Sequence, residues 1–475
     1  MLEKIKNKYK SISVPAKASL WFMFCSVVNK GISFITTPIF TRFLTQEEYG
    51  TVNIYNTWMG IITIFATLEL ATGVFNKAMI KFSDDRDGYT SSSLFLTTCT
   101  TLTSFLIYLI ISSLYPGILG LPFLIVVMMF LDIFFTTIWS FYTIRNRFDF
   151  KYRIIVVVTI VANTAGSFLS VLLVWLLPNY HVEARIGGLL IVKILTYGYF
   201  YFLLIKKGHT LVNIEYWKYS LLYNLPLIPH YLSQQILNQS DRIMIDEMCG
   251  RADAGIYSLA YQLAVVVQIV TNAIHASFMP WCFQKLESGD GKSIGKRAFQ
   301  IEMLIGIICT LFSLFAPELI LILGGHKYYS AIYIVPPVSM SVLFVTIYSF
   351  FGNIEFYFEK TKFVMIASCA VAALNIILNW VFIKIYGFIA AGYTTLVCYV
   401  VYSIVHYIFM VNICKNNGIE NPFPGIKMWT FGLVMAFVSV GISFVYSFTL
   451  VRYIVIAIIS VIGITFFKRN RESFF

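Results

Sequence analysis

The stretch LPLIPHYLSQQILNQSDRIMIDEMCGRADAGIYSLAYQLA, residues 225–264, places regularly spaced polar residues within an apolar background. Seven polar residues in and just after it recur at helical spacing: His230, Gln234, Asn238, Arg242, Gln268, Asn272 and His275. Residues three or four apart lie on one face of a helix. A membrane helix with one polar face contacts lipid on one side and a cavity on the other. We therefore predict that this stretch lines a cavity inside a membrane protein.

The composition supports an integral membrane protein. The 475 residues are 58% hydrophobic and 12% charged, whereas soluble domains are about 25% charged. Apolar runs of about 18–25 residues recur throughout, each long enough to cross about 30 Å of hydrocarbon. We predict about 14 transmembrane helices, at 18–40, 52–75, 92–115, 117–142, 154–177, 185–205, 219–245, 254–280, 298–324, 331–358, 363–385, 388–412, 428–448 and 450–467. The predicted fold class is all-α integral membrane, without a soluble domain.

The net charge of +12 is unevenly distributed along the chain. With the N-terminus placed in the cytoplasm, roughly 26 Lys and Arg residues fall on the inner side and 7 on the outer side. This asymmetry follows the positive-inside rule and predicts that both termini are cytoplasmic. We assign the excess charge to topology and anionic lipids, and predict no nucleic-acid binding.

An internal repeat is visible in the order of the predicted helices. EEYGTVNIY at 47–55 resembles DAGIYSLAY at 253–261, and their glycines, Gly50 and Gly255, are 205 positions apart. Each copy has six helices, and six is an even number of membrane crossings. The two copies should therefore be parallel, related by an axis along the membrane normal. We predict pseudo-two-fold-related six-helix lobes at 1–210 and 211–414, followed by two additional helices at 415–475. A cavity is expected between the lobes.

Six motifs carry a resemblance to a known family: RFLTQEEYG at 42–50, LPLIPHYLSQQILNQSDRIMI at 225–245, AGIYSLAY at 254–261, MPW at 279–281, GNIEFYFEKTK at 352–362 and NIILNWVFIKIYGFIAAG at 375–392. Their order is similar to the polysaccharide (O-antigen type) flippases of the multidrug/oligosaccharidyl-lipid/polysaccharide exporter superfamily. The resemblance implies a bacterial cytoplasmic membrane protein that moves undecaprenyl-diphosphate-linked oligosaccharide from the cytoplasmic to the outer leaflet by alternating access. It also implies that helices one, two, seven and eight form the gate.

Two lysines are predicted inside the membrane, where a charge costs about 2.5–3.5 kcal/mol on insertion scales. Lys30, beside Asn29 on the polar face of the first helix, is placed to meet the substrate diphosphate. The alternative is a structural Lys30 that extends to the interface or pairs with Glu69. Lys193, about eight residues from the outer end of the sixth helix, either lines the cavity or extends to the outer interface. Asn29, Lys30 and Lys193 join the stripe residues His230, Gln234, Asn238, Gln268, Asn272 and His275 as the candidate substrate cavity.

Four further charged residues are candidates for gating or ion coupling: Glu69, Asp132, Asp241 and Arg242. Glu69 is predicted about six residues from the inner end of the second helix, where it could bind H⁺ or Na⁺ or pair with Lys77. Asp132, at mid-depth, must be paired or protonated. Asp241 and Arg242 are expected near the outer surface, as a gate-closing ion pair or an interfacial anchor.

No enzymatic, metal or cofactor motif is predicted. GDGKS at 289–293 lacks the first glycine of a phosphate-binding loop, because position 286 is leucine. The eight cysteines have no metal or disulfide spacing. We therefore predict a transporter without a cofactor, coupled to H⁺ or Na⁺. Expected partners are the lipid-linked oligosaccharide, membrane lipids, and a polysaccharide polymerase and glycosyltransferases. The alternatives are a lipid II flippase, an H⁺/Na⁺-coupled drug antiporter of the same superfamily, and a membrane scaffold for sugar transferases.

Overall fold

The computed structural model describes residues 14–358 and 360–469, and every regular element within these ranges is helical. The α-helices, in chain order, are α1 Val14–Phe43, α2 Gln46–Thr67, α3 Phe75–Lys81, α4 Arg86–Leu114, α5 Phe123–Phe148, α6 Arg153–Leu176, α7 His181–Gly208, α8 Ile214–Asn224, α9 Ile228–Cys249, α10 Arg251–Glu287, α11 Gly291–Leu314, α12 Ala316–Gly324, α13 Val335–Tyr357, α14 Thr361–Tyr386, α15 Ala390–Asn416, α16 Gly425–Ile442 and α17 Thr449–Arg469. The predicted all-α architecture is confirmed.

Twelve helices in the described part of the chain are long and apolar enough to cross a membrane. α2 and α9 have 22 residues each but are more polar, and they are not among the twelve. Both correspond to helices that the family resemblance implies form the gate. The chain is a multi-pass membrane protein.

Two predicted spans are interrupted near prolines. Span 219–245 divides into α8, a 3-10 turn at Leu225–Leu227 that contains Pro226, and α9. Span 298–324 divides after Leu314, and Pro317 lies in the first turn of α12. Proline lacks a backbone N–H and cannot continue the hydrogen-bond ladder of the preceding helix. The single long helix predicted in each case is therefore two shorter helices.

Packing divides the chain into two compact units. The first unit contains the described residues up to Leu44 together with Ile54–Gln235. The second unit contains Thr45–Asn53 and the described residues from Ile236 onward. The division into lobes at 1–210, 211–414 and 415–475 stays a prediction.

Aromatic packing between helices forms the core of the first unit. The Trp139 ring of α5 stacks on the Tyr197 ring of α7 with centroids 4.9 Å apart. The short helix α8 is bonded to α4, because the Tyr216 hydroxyl donates to Asp85 Oδ2 at 2.9 Å. Ser220 Oγ also lies 2.7 Å from the Tyr89 hydroxyl. These contacts fix α8 against the start of α4.

The end of α2 differs from its prediction. The helix stops at Thr67, and Leu68 and Glu69 both have left-handed backbones, with φ of 49° and 50°. Asn224 Nδ2 donates to the carbonyls of Leu68 at 3.0 Å and Glu69 at 2.8 Å, which satisfies groups that the ended helix exposes. The predicted position of Glu69 inside the second span is therefore wrong: Glu69 lies in the turn after α2.

The second unit is built around α13, the most deeply buried of the candidate spans. Helices α10, α11, α15 and α16 pack against it. The last helix, α17, is attached by Arg452, which donates to both carboxylate oxygens of Glu318 on α12 at 2.5 Å and to the Leu314 carbonyl at 2.8 Å. One arginine thus connects α17 to the break between α11 and α12.

Candidate functional site

A buried ion pair joins three helices of the first unit. Lys193 Nζ on α7 lies 2.5 Å from Asp132 Oδ1 on α5. The same carboxylate accepts from the Thr136 hydroxyl at 2.9 Å and from the Tyr55 hydroxyl of α2 at 3.2 Å. Asp132 is 5% exposed. The sequence required a partner or a proton for Asp132, and the structure provides Lys193 as the partner.

A polar cavity of about 340 Å³ lies beside Asn29 in the first unit. Asn29 Nδ2 donates to Cys25 Sγ at 3.7 Å, one turn earlier on α1. Asn29 Oδ1 and Thr143 Oγ1 are buried with no hydrogen-bond partner among the described residues. Arg147 also lines the cavity, with its guanidinium 4.4 Å from the centre of the Phe22 ring. The predicted site residue Asn29 therefore borders a space with room and donors for water or a polar ligand.

Lys30 and Glu69 do not form the pair considered as an alternative. Lys30 is exposed on α1. The Glu69 carboxylate accepts from the Thr72 hydroxyl at 2.6 Å, and Lys77 lies over the Tyr223 ring at 5.0 Å. The diphosphate role of Lys30 and the coupling role of Glu69 stay predictions.

Two stripe residues of α9 belong to the first unit. His230 is half-buried, and its Nδ1 atom has no hydrogen-bond partner in the described ranges. Gln234, one turn further on, is also half-buried. Both residues lie in α9, the helix that follows the 3-10 turn at Leu225–Leu227.

Asp241 is the centre of a buried polar cluster in the second unit. Its carboxylate is 1% exposed and accepts from the Tyr257 hydroxyl at 2.6 Å, the Asn379 amide at 2.6 Å and the Thr395 hydroxyl at 2.8 Å. Thr394 donates to Asn379 Oδ1. The donors come from α10, α14 and α15, so the cluster connects four helices through one carboxylate.

The predicted Asp241–Arg242 ion pair is replaced by separate contacts. Arg242 Nη1 donates to the Asn238 carbonyl at 3.2 Å and to Gln239 Oε1 at 2.8 Å. Its guanidinium lies 4.7 Å from the centre of the Tyr261 ring. Consecutive residues on a helix point about 100° apart, which explains why Asp241 turns into the bundle while Arg242 turns along α9.

The remaining stripe residues lie in the second unit. Asn238 Oδ1 accepts from the Tyr399 hydroxyl of α15 at 2.9 Å. On α10, Gln268 and His275 are half-buried and Asn272 is exposed. His275 Nε2 is buried and has no hydrogen-bond partner within the part of the chain that the structure describes.

Sequence reasoning missed the partners of Asp241. The NIILN motif contains Asn375 and Asn379, which are four residues apart and therefore share a helix face. Two amides on one face of an otherwise apolar helix were the available signal. Sequence reasoning also missed Glu355 and His406, which are 0% and 1% exposed. His406 Nδ1 lies 2.9 Å from Glu355 Oε1.

Comparison with known proteins identifies the family. The model of the polysaccharide biosynthesis protein family matches residues 16–286, more than half of the 475 residues. The chain belongs to the polysaccharide biosynthesis protein family. The family predicted from the six motifs is thereby confirmed. The match extends from α1 to α10, and so includes the stretch at 225–264.

One relative of this family member is Lsg locus putative protein 1 of Haemophilus influenzae. It is 24% identical over 378 residues, which are 75% of this chain and 87% of that protein. Among solved structures, Lipid II flippase MurJ in an inward closed conformation has a TM-score of 0.64 at 16% identity, covering 96% of this chain and 99% of that chain. An inward-facing multidrug resistance MATE family transporter of the MOP superfamily has a TM-score of 0.59 at 15% identity, covering 81% and 95%. The fold is that of the MurJ and MATE transporters.

Proposed function

We propose that this chain is a flippase for undecaprenyl-diphosphate-linked oligosaccharide, which it moves from the cytoplasmic to the outer leaflet by alternating access. The observation that carries the proposal is a fold shared with a lipid II flippase over 96% of the chain. The family match to polysaccharide biosynthesis proteins makes a sugar the expected cargo. A lipid-linked sugar fits both findings.

The proposal includes an orientation in the bacterial cytoplasmic membrane with both termini inside. It is supported by the excess of Lys and Arg, roughly 26 to 7, on the side assigned to the cytoplasm. Peptide tags at the two ends should react in inverted vesicles and be protected in intact cells. Reaction of either tag in intact cells would contradict this orientation.

Lys30 is proposed to contact the substrate diphosphate. It is exposed on α1, one residue from Asn29, which borders the polar cavity. An ammonium is a compact donor that suits a phosphate oxygen, and a hydrogen bond to a charged group contributes about 1.5–3 kcal/mol. Losing it should slow flipping by about tenfold or more.

A reconstituted assay tests this role. Vesicles containing the protein would be given fluorescent undecaprenyl-diphosphate oligosaccharide, and flipping would be followed by dithionite quenching. Lys30→Ala should flip slowly and Lys30→Arg, which keeps the charge, should retain most of the rate. Flipping by Lys30→Ala at the rate of the unchanged protein would remove Lys30 from the proposal.

Ion coupling is proposed to occur through Asp241. An ionised carboxylate is costly to bury, so neutralising its charge by binding H⁺ or Na⁺ changes its electrostatic free energy strongly. The donors of Asp241 come from three further helices, so a change in its charge alters the packing of all four. Asp241→Asn should flip without dependence on a proton or sodium gradient. Glu247→Gln, an exposed carboxylate on the same helix, is the control, and an unchanged gradient response in Asp241→Asn would contradict the assignment.

A lipid II flippase is the second candidate, favoured by the MurJ structure as the solved neighbour with 96% coverage. Expression in a strain that lacks lipid II flipping separates the two. Growth of that strain would favour lipid II as the cargo. Restored surface polysaccharide in a strain that lacks its oligosaccharide flippase would favour the primary proposal.

A further inference from the structure

A second pocket, of about 710 Å³, opens at the end of the first unit where α4 begins and α5 and α7 end. We call it the interfacial pocket. Its polar lining is Asp87, Arg145, Asn146, Lys206, Lys207 and His209. Its aromatic and apolar lining is Tyr142, Tyr199, Phe202, Leu203 and Leu204. No part of the proposed flipping mechanism uses this pocket.

The polar side of this interfacial pocket is positively charged. Arg145 bonds Asp87 at 2.8 Å and Asp149 at 2.8 Å, and Lys207 bonds the other oxygen of Asp87 at 3.0 Å. Lys206 is exposed and makes no ion pair with any residue that the structure describes. Apart from His209, the lining therefore has three cations and one carboxylate, an excess of two positive charges.

The other side of the pocket is apolar and faces outward from a membrane-spanning helix. Tyr199 is 65% exposed and Phe202 is 74% exposed, and both lie in the last third of α7. Exposed aromatic side chains near the end of a spanning helix lie at the level where headgroups meet acyl chains. A soluble anion would contact the lysines and leave these rings unused.

We propose that this interfacial pocket binds one anionic phospholipid. The phosphate is held by Lys206 and Lys207, with Asn146 available to its ester oxygens, and an acyl chain lies along Tyr199 and Phe202. Basic pockets between transmembrane helices are suited to anionic headgroups, and each nearby Lys or Arg contributes about 1 kcal/mol. This inference is independent of the cargo and of the flipping reaction.

Binding would connect three helices. Asp87 is in the first turn of α4, Arg145 in the last turn of α5 and Lys207 in the last turn of α7. A phosphate bound by Lys206 and Lys207 adds a further contact to the same cluster. The lipid is therefore expected to raise the thermal stability of the protein.

The test uses the full chain in detergent, titrated with dioleoylphosphatidylglycerol, dioleoylphosphatidylcholine or inorganic phosphate, with bound lipid counted by native mass spectrometry. Lys206→Ala/Lys207→Ala should weaken phosphatidylglycerol binding by about 30-fold, about fivefold per lysine. Lys292→Ala/Lys296→Ala removes two exposed lysines that do not line the pocket. This matched control should bind phosphatidylglycerol like the unchanged protein.

Phe202→Ala separates a lipid from a soluble anion. It should weaken phosphatidylglycerol binding and lower the stabilisation by this lipid, while leaving any effect of inorganic phosphate unchanged. Equal binding of phosphatidylglycerol and phosphatidylcholine would overturn the proposal. So would equal losses in the two double-lysine variants, or stabilisation by inorganic phosphate that matches that of the lipid. Because the substituted lysines and Phe202 are exposed, an unchanged gel-filtration profile is the folding control.

Discussion

Gly255 lies directly against Gly50. A Cβ atom added to Gly255 would be 3.0 Å from Gly50 N and 2.5 Å from the Gln46 carbonyl oxygen, and one added to Gly50 would be 2.1 Å from the Arg251 carbonyl oxygen. The first turns of α2 and α10 are therefore in backbone contact, all within the second unit. The two glycines that the sequence identified as repeat equivalents are neighbours in space.

This contact predicts that alanine is poorly tolerated at either glycine. Gly255→Ala should lower the free energy of unfolding by about 1–3 kcal/mol, because the added methyl group must push two backbones apart. Gly441→Ala is the control, since nothing lies within 4 Å of its added Cβ. Thermal unfolding in detergent measures both. Equal midpoints for the two variants would show that α2 and α10 separate freely.

The Lys193–Asp132 pair predicts strong coupling between two substitutions. Lys193→Met should destabilise the protein by about 3–5 kcal/mol, because it leaves the Asp132 carboxylate buried without its cation. Lys193→Met/Asp132→Leu should cost less than the single change, since both charges are removed. Lys151→Met, which breaks a pair whose lysine side chain is 63% exposed, should cost about 0–1 kcal/mol. Additive effects in the double-mutant cycle would argue against a coupled pair.

The attachment of α17 depends on the shape of a guanidinium. Arg452→Lys keeps the charge but cannot form two parallel bonds to Glu318 while also reaching the Leu314 carbonyl. It should lower the unfolding midpoint more than Tyr453→Phe, which removes one hydroxyl bond to Glu318 at 2.8 Å. Limited proteolysis of the two variants provides a second measurement. Similar stability of both would indicate that the fork geometry is unimportant.

Asp290 predicts a pH dependence outside the membrane. Hydrogen bonds from Lys285 and from Ser293 at the start of α11 lower the pKa of its carboxyl to about 2. The unfolded pKa is about 3.9, so the contribution of the carboxylate is complete above that pH and is lost as the pH falls toward about 2. Asp290→Asn should lower the unfolding midpoint at pH 7, and this difference should vanish in acid.

Glu287→Gln is the matched control for Asp290, because Glu287 is an exposed carboxylate three residues earlier. Its effect on the midpoint should be small at every pH. A difference between Asp290→Asn and the unchanged protein that persists at low pH would contradict the assigned role. GDGKS is thus explained as a helix cap: Asp290 accepts from Ser293 N at 3.3 Å at the start of α11.

The helical architecture could be predicted because its cause is local. Apolar runs of membrane-spanning length indicate where helices lie, and the regularly spaced polar residues of α9 identified it as a helix with a polar face. Helix ends were less predictable. Leu68 and Glu69 adopt left-handed conformations because Asn224, distant in sequence, accommodates their carbonyls. No pattern within residues 52–75 contains that information.

The candidate site was predicted by residue type rather than by partner. Asp132 and Lys193 were both singled out, but they are 61 residues apart, and pairing them requires the packing of α5 against α7. Asp241 and Arg242 were expected near the outer surface, as a gate-closing ion pair or an interfacial anchor. The structure instead buries Asp241 among Tyr257, Asn379 and Thr395. At both carboxylates, tertiary packing determines the partners.

The Asn224 side chain has a consequence for folding order. Its hydrogen bonds to Leu68 and Glu69 close a chain segment of about 155 residues, and closing so long a loop is entropically unfavourable until the intervening segments have assembled. Helices α4–α7 must therefore insert and pack before α8 can lock the end of α2. During synthesis, this turn is expected to be completed late, when the first half of the protein has already left the ribosome.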